Sequence, residues 1–171
     1  MKNKTKQLTL AAMCLTLGII LPQAFHMIPN AGSILLPMHI PVLICGFICG
    51  PFYGLLVGVI APIMSNLIFA MPNTIMLGQM IVELGTYGFV CGIINRKIKI
   101  NNQIIKNYIV LIISMIIGRV VYGICNLLIF RINQYNFSIW IKSALIIAIP
   151  GIIIQLMLIP VLVNKIKKLV K

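Results

Sequence analysis

Residues 74–95, TIMLGQMIVELGTYGFVCGIIN, form an uninterrupted apolar stretch around one acidic residue, Glu83. A single helix needs roughly 20 residues to cross the hydrocarbon core of a bilayer, so this stretch is long enough to do so. Glu83 is the only acidic residue in a chain of 171 residues. A charge at the centre of a membrane helix costs about 2.5–3.5 kcal/mol on insertion scales. We therefore interpret the stretch as a membrane span whose carboxylate needs a partner.

The composition of the whole chain indicates the same environment. Apolar residues make up 61% of the sequence and charged residues 9%, and the mean hydropathy is +1.11. Soluble domains contain about 45–50% apolar and about 25% charged residues. A water-soluble fold is nearly excluded, because too few polar groups are available to cover its surface. A disordered chain is excluded because disorder requires low hydrophobicity.

Six apolar stretches predict an all-α integral membrane protein, a bundle of six transmembrane helices forming one domain over residues 1–171. The first stretch also fits a signal peptide, but the five that follow place the chain in a membrane either way. The second is short, with Pro37 and Pro41 near its start, and the third begins at a Gly50-Pro51 turn. The expected spans are about 7–25, 33–50, 51–70, 74–95, 107–130 and 138–164.

The basic residues predict the orientation of the bundle. Of the 14 Lys and Arg residues, 11 fall in three regions that six spans place on one side of the membrane. These are Lys2, Lys4, Lys6, Arg96, Lys97, Lys99, Lys106, Lys165, Lys167, Lys168 and Lys171. The positive-inside rule assigns that side, with both termini, to the cytoplasm. Only Arg131 and Lys142 lie in the loop opposite. The net charge of +13 therefore reflects the orientation of the chain in the membrane. For this reason we expect no nucleic-acid partner.

One basic residue, Arg119, lies inside the fifth span and matches Glu83 in depth. Glu83 precedes Arg96 by 13 residues, and Arg119 follows Lys106 by 13 residues. At about 1.5 Å per residue, both lie about 20 Å from the cytoplasmic edge. Because the fourth and fifth spans are consecutive and antiparallel, we expect these side chains to meet, directly or through a ligand.

Further polar side chains lie outward of this pair. Positions 79, 83 and 87 share one helix face, and positions 119, 122 and 126 share another. Together with two polar residues of the second and third spans, they predict a substrate pocket that is open to the outside. The candidate substrate-binding residues are Glu83, Arg119, Gln79, Tyr122, Asn126, Asn66, His39 and Tyr87. The simpler alternative is a salt bridge and interhelical hydrogen bonds that only fix helix packing.

Motifs for catalysis are missing from the sequence. It contains no P-loop and no H-E-x-x-H, and one acidic residue cannot supply a pair of carboxylates. The five cysteines lie in apolar stretches without a C-x-x-C motif, so we interpret them as buried apolar side chains. We therefore expect no enzymatic activity, no catalytic residue, no metal site and no cofactor.

The first half of the sequence resembles a known family of membrane proteins. The stretch LPMHIPVL at 36–43, followed by Gly46 and GPFYGLLVG at 50–58, is similar to the substrate-binding S components of energy-coupling factor (ECF) transporters. The segments IFAMP at 68–72 and ELGTYG at 83–88 fit the same pattern. The resemblance covers residues 8–95 well and the remainder of the chain by topology.

This resemblance implies a multi-pass plasma-membrane protein that captures a vitamin or similar micronutrient from outside. It implies a membrane scaffold subunit and two cytoplasmic ATPases as partners. The family's first helix carries an Ala-x-x-x-Ala contact for the scaffold, and this chain has Ala12-x-x-x-Thr16. We expect Ala12 and Thr16 to dock the scaffold, because small residues permit close helix approach; packing against the chain's own spans is the alternative. By analogy, residues 26–32 form a lid.

Two other functions remain open at this point. A self-standing secondary transporter would use Glu83 as a proton carrier, and transport in proteoliposomes lacking any ATPase would identify it. A non-transporting membrane assembly protein would be favoured if no small molecule binds. The substrate itself stays open among riboflavin, folate, pantothenate, niacin, cobalamin precursors and others.

Overall fold

The structure is a computed structural model that describes residues 4–25, 34–127 and 147–170. In these ranges it is helical, without a β-strand. The main elements are α1 Lys4–Ala24, α2 His39–Cys49, α3 Pro51–Phe69, α4 Thr74–Lys97, α5 Gln103–Cys125 and α6 Ile149–Val170. The predicted all-α class is thus confirmed for the described residues.

Five of these helices, all except α2, are long and apolar enough to cross a membrane. Helix α2 has only 11 residues and therefore extends about 16 Å, roughly half the thickness of the hydrocarbon core. The predicted second span over 33–50 was expected to be short, and in the structure its main helix covers only His39–Cys49. The end of the fifth predicted span, the start of the sixth and the loop between them, with Arg131 and Lys142, lie outside the described residues.

The chain is interrupted just before α2. Pro37 disfavours a helical conformation at the residue before it, and Leu36 adopts a left-handed backbone with φ 50°. Helical structure resumes at His39, whose N–H donates to the Leu36 carbonyl at 3.1 Å. Since nine of the eleven residues of α2 are buried, the helix begins inside the protein, with His39 as its first residue.

Helix α5 begins earlier than the sequence predicts. A polar loop is expected to extend to Lys106, but the helix starts at Gln103. The reason is an N-cap: the Asn102 side-chain oxygen accepts from the N–H groups of Ile104 and Ile105 at 3.0 and 3.3 Å. Such a cap satisfies donors that an uncapped helix leaves unpaired, so the helix begins within the segment that was expected to be a loop.

Glycines bring α3 and α4 into backbone contact. They recur every four residues from position 46 to position 58. A Cβ on Gly58 would lie 2.6 Å from the carbonyl carbon of Leu84, and one on Gly54 would lie 2.8 Å from that of Gly88. Small residues at this spacing allow membrane helices to approach closely. The repeat places Gly58 against Leu84, so the turn of α4 that carries Glu83 is held by α3.

The ends of α2, α4 and α6 lie together with the start of α5, and this region carries most of the described basic residues. We call it the basic end. It comprises 47–49, 95–97, 103–107 and 164–168. Asn95 donates to the Phe47 carbonyl at 2.8 Å, and Asn107 donates to the Asn164 side-chain oxygen at 2.8 Å. Asn107 is fully buried here, so the bond to Asn164 satisfies a polar side chain in the interior of the basic end.

Substitution of Gly58 by Ala is predicted to destabilise the protein by about 1–3 kcal/mol, the usual effect of overpacking. The added methyl group meets backbone atoms of α4, which cannot move aside without separating the two helices. Thermal unfolding in detergent, followed with a thiol-reactive dye, measures the effect because four of the five cysteines are buried.

Gly18→Ala is the matched control for this prediction. Its Cβ would lie 3.4 Å from the Ala61 Cβ and 3.6 Å from the Pro41 Cγ, which are ordinary contacts. We expect unchanged or slightly higher stability, because Ala is the better helix former. Equal destabilisation by both substitutions would contradict the assignment of a close α3–α4 contact.

Candidate substrate-binding site

A cluster of charged and titratable groups lies in the interior, where α2, α4 and α5 meet. The Glu83 Oε1 atom is 2.9 Å from Arg119 Nη1 and 3.5 Å from His39 Nε2. The three residues are 4%, 8% and 2% exposed, respectively. The predicted contact between Glu83 and Arg119 is confirmed, and it is direct. We call His39, Glu83 and Arg119 the charged cluster.

Each member of the charged cluster is placed by a different feature of the sequence. The break at Pro37 makes His39 the first residue of α2, so its side chain extends from the positive end of that helix dipole. Glu83 lies near the middle of α4, on the turn held by Gly58. Arg119 lies in the second half of α5. Three separate helices must therefore keep their relative positions for the cluster to form.

Tyr87 packs the side of the cluster that faces the basic end. It lies one turn after Glu83 on α4 and is 1% exposed. Its ring contacts His39 edge-on, with 5.2 Å between the ring centroids. A Cβ on Gly118 would lie 2.7 Å from Tyr87 Cε1, so only a glycine leaves room for this ring against α5. Tyr87 thus fills the space between α2, α4 and α5 and orients His39.

The predicted polar faces of α4 and α5 do meet, on the side of the charged cluster away from the basic end. The Tyr122 hydroxyl donates to the Gln79 side-chain oxygen at 3.4 Å. The Asn126 amide donates to the Tyr122 backbone carbonyl at 2.8 Å. Gln79 is 5% exposed and Asn126 is fully buried. The Asn126 side-chain oxygen has no hydrogen-bond partner among the described residues. We call Gln79, Tyr122 and Asn126 the polar layer.

Asn66 makes a different contact from the one expected. Its amide donates to the Pro72 carbonyl at 2.6 Å, and its backbone carbonyl accepts from Ala70 N–H at 2.8 Å. Ala70 adopts a left-handed conformation with φ 55°. These bonds give Asn66 a structural role at the turn between α3 and α4, and its contribution to a pocket stays a prediction.

Sequence reasoning also missed Gln155 of α6, a buried polar residue that is 1% exposed. Asn164 pairs with Asn107, and Gln155 precedes Asn164 by 9 residues while Arg119 follows Asn107 by 12. Gln155 and Arg119 therefore differ in depth by about 5 Å. The sequence held a signal for this residue, because a glutamine inside an apolar span is unusual, and Gln79 was selected on the same ground.

The described part of the chain holds no group of three or more His, Cys, Asp or Glu residues arranged to bind a metal ion. Its five cysteines are free; Cys125 is half-buried and the others are buried. The proposed lid, residues 26–32, lies outside the described residues.

The proposed docking residues lie on the outer surface of α1. This helix buries Ala11, Cys14 and Gly18, whereas Ala12 and Thr16 are exposed. The Thr16 hydroxyl donates to the Ala12 carbonyl at 3.0 Å, which satisfies the polar group within the helix. The alternative interpretation, that this pair packs against the chain's own spans, is therefore wrong for the part of the chain that the structure describes.

A double-mutant cycle that removes the charges of Glu83 and Arg119 tests the ion pair. Glu83→Gln alone is predicted to cost about 3–5 kcal/mol of stability, because Arg119 stays buried without its carboxylate. The double variant Glu83→Gln with Arg119→Gln is expected to be more stable than the sum of the single effects predicts, with a coupling energy of about 1–3 kcal/mol. Thermal unfolding of the three variants and wild type in one detergent gives this coupling.

Lys97→Gln serves as the control for the cycle, since Lys97 is exposed at the end of α4. It should change stability by less than about 0.5 kcal/mol. Additive effects of the two single substitutions would contradict a direct interaction between Glu83 and Arg119.

Comparison with known families identifies a family that covers almost the whole chain. A family model described as the substrate-specific component of ECF transporters matches residues 6–168, almost the whole chain. Neither the curated proteins nor the solved structures gave a match. Together with five helices able to cross a membrane, the match makes the chain a multi-pass protein of the plasma membrane with a role in transport. The chain belongs to the family of substrate-specific components of ECF transporters.

Proposed function

We propose that this chain captures a small water-soluble vitamin, or a precursor of one, at the charged cluster and the polar layer. It then delivers this substrate together with a membrane scaffold subunit and two cytoplasmic ATPases. The observation that carries the proposal is the buried contact of Glu83 with both Arg119 and His39. The family match supports the transport role, and the site assignment rests on the geometry.

Unused hydrogen-bonding capacity favours a binding site over a purely structural salt bridge. Several buried polar atoms have no hydrogen-bond partner in the described ranges, and His39 Nδ1, the Asn126 side-chain oxygen and Gln155 Nε2 are among them. A buried polar group without a partner costs about 1–3 kcal/mol. A ligand that bonds to these atoms recovers that energy, whereas a salt bridge that only fixes packing does not need them.

The charges of the cluster indicate how a substrate would be held. Arg119 and His39 both approach one oxygen of Glu83, so the carboxylate orients two potential donors. A substrate carboxylate would bind Arg119, because guanidinium groups form strong, directional bonds to carboxylates. A substrate amine or hydroxyl would instead donate to Glu83. The polar layer then supplies amide and hydroxyl groups on one side of the bound molecule.

The substrate enters from the outside in this proposal. The positive-inside rule assigns the basic end, with both termini, to the cytoplasm. Gln79 precedes Glu83 on α4, and Tyr122 and Asn126 follow Arg119 on α5, so the polar layer lies on the side of the charged cluster away from the basic end. The buried Tyr87 and the apolar core toward the basic end then close the site from the cytoplasm.

The scaffold docks on α1 in this proposal. Ala12 and Thr16 present small side chains on an exposed helix face, and Leu8, one turn before Ala12, is 59% exposed. Such a surface permits close approach of a second membrane helix. The ATPases then act through the scaffold, since the chain carries no P-loop of its own.

The first test is identification of the substrate. The protein is purified in mild detergent, co-purified small molecules are identified by mass spectrometry, and a vitamin panel is screened for thermal stabilisation. A bound ligand at 100 times its Kd stabilises the folded state by about 2.7 kcal/mol. With that ligand, Asn126→Ala and His39→Ala are predicted to weaken binding about tenfold each, because each removes a hydrogen bond to the substrate.

Ser114→Ala is the matched control, since Ser114 is a fully buried polar residue of α5 whose hydroxyl donates to the Val110 carbonyl of the same helix at 2.7 Å. Its ligand affinity should equal that of wild type. Equal weakening by all three substitutions, or the absence of any bound small molecule, would count against the proposed site.

The second test concerns docking. The double variant Ala12→Leu with Thr16→Leu is predicted to bind the substrate normally but to lose co-purification with the scaffold, because the bulk keeps the two helices apart. Met13→Leu with Leu17→Ile, on exposed positions of the same helix, is the control and should assemble normally.

Uptake into proteoliposomes completes the docking test. The substrate should accumulate only when scaffold, ATPases and ATP are present, and not with the docking variant. Proton-coupled uptake by the purified chain alone would overturn the proposal and identify a secondary transporter that uses Glu83.

A further inference from the structure

Helix α2 lies at the centre of the described helices, because it packs against α1, α3, α4 and α6. It ends at the basic end and begins at His39, whose Nε2 atom is 3.5 Å from the Glu83 carboxylate. The central helix therefore starts only at the depth of the charged cluster. On the side away from the basic end, α1, α3 and α4 continue beyond the first residue of α2.

Ser65 of α3 lies at the depth of the polar layer. Helices α3 and α4 are antiparallel, and Gly58 packs on the backbone of Leu84. Seven residues from this contact, away from the basic end, Ser65 lies level with position 77, about 3 Å from the depth of Gln79. Seven residues are two helical turns, so Ser65 shares the buried face of α3 with Gly58, and it is 0% exposed. The polar layer thus has a neighbour on a third helix.

The Ser65 hydroxyl has no hydrogen-bond partner among the described residues. A serine inside a helix commonly donates to the carbonyl four residues earlier, which for Ser65 is that of Ala61. Four other hydroxyl groups in the described helices use this acceptor, at 2.7–3.0 Å, and they belong to Thr9, Thr16, Thr86 and Ser114. Since a buried hydroxyl without a partner is unfavourable, a bound molecule that forms a hydrogen bond with Ser65 is stabilised by it.

The polar side chains described at this depth are uncharged. They are Ser65 and the polar layer, whose hydroxyl and amide groups can both donate and accept. Glu83 lies six residues beyond position 77 on α4, about 9 Å closer to the basic end. A charged group of a substrate is therefore compensated at the charged cluster, and the part that faces Ser65 is an uncharged polar group such as a hydroxyl, an amide or a ring nitrogen.

We infer that Ser65 is a further substrate-binding residue, which forms a hydrogen bond to an uncharged polar group of the substrate while the charged cluster holds another part of the molecule. This assignment rests on the proposed function and adds α3 to the helices that contact the substrate. Two other roles for Ser65 are a small side chain that only permits close packing, and a hydroxyl bonded to a buried water molecule. Neither role makes substrate affinity depend on the hydroxyl.

Ser65→Ala is expected to leave stability intact while it weakens binding. The ligand-free variant should unfold at the wild-type Tm or above it, because it no longer buries an unpaired hydroxyl. Its Kd should be about tenfold higher, the effect of one lost hydrogen bond. The probe is the small molecule that co-purifies with wild type or, if none does, the vitamin that raises the wild-type Tm most. Isothermal titration calorimetry in one detergent gives the Kd values.

Ser114→Ala is the matched control, because that hydroxyl is satisfied within its own helix, and it should keep the wild-type Kd. Ser65→Cys retains nearly the same volume with a weaker donor, so it should also weaken binding, and it supplies the Kd if Ser65→Ala fails to fold. A wild-type Kd for the Ser65 variants, or equal weakening by Ser114→Ala, would overturn the assignment and leave the rest of the proposed site in place. If no small molecule binds wild type, the proposed function fails and the assignment fails with it.

Discussion

The interior of a membrane protein offers Glu83 no water, so its charge must be compensated by other side chains. Arg119 at 2.9 Å and His39 at 3.5 Å provide this compensation, and they come from two different helices. Much of the fold can be understood as the means of bringing these helices together. The interruption at Pro37 starts α2 at His39, and Gly58 lets α3 support the turn of α4 that carries the carboxylate.

Close backbone packing and a buried ion pair depend on each other in this structure. Backbone contact between α3 and α4 restricts how α4 can move, which keeps the Glu83 carboxylate at a defined position. Tyr87 occupies the space that Gly118 leaves on α5 and contacts His39. The charged cluster is therefore preorganised before any ligand arrives. Preorganisation raises affinity because fewer groups must be ordered on binding.

The sequence alone predicted the pair of Glu83 and Arg119, because equal depth on consecutive antiparallel helices is simple arithmetic. It predicted a short second span but not that its helix begins only at His39, because counting apolar residues does not register the left-handed backbone that Leu36 adopts beside Pro37. The bond between Asn107 and Asn164 was also missed. These residues are 57 positions apart, and the periodicity of one helix carries no information about partners on another.

The central claim is that the substrate binds at the charged cluster, and a structure of the protein with its co-purified ligand tests it most directly. The account predicts ligand density within about 3.5 Å, a hydrogen-bond contact, of Arg119 or His39 and of Asn126. Density at a separate location, with the contact between Glu83 and Arg119 intact and no ligand atom near it, would contradict the claim. The pair would then be a structural salt bridge only.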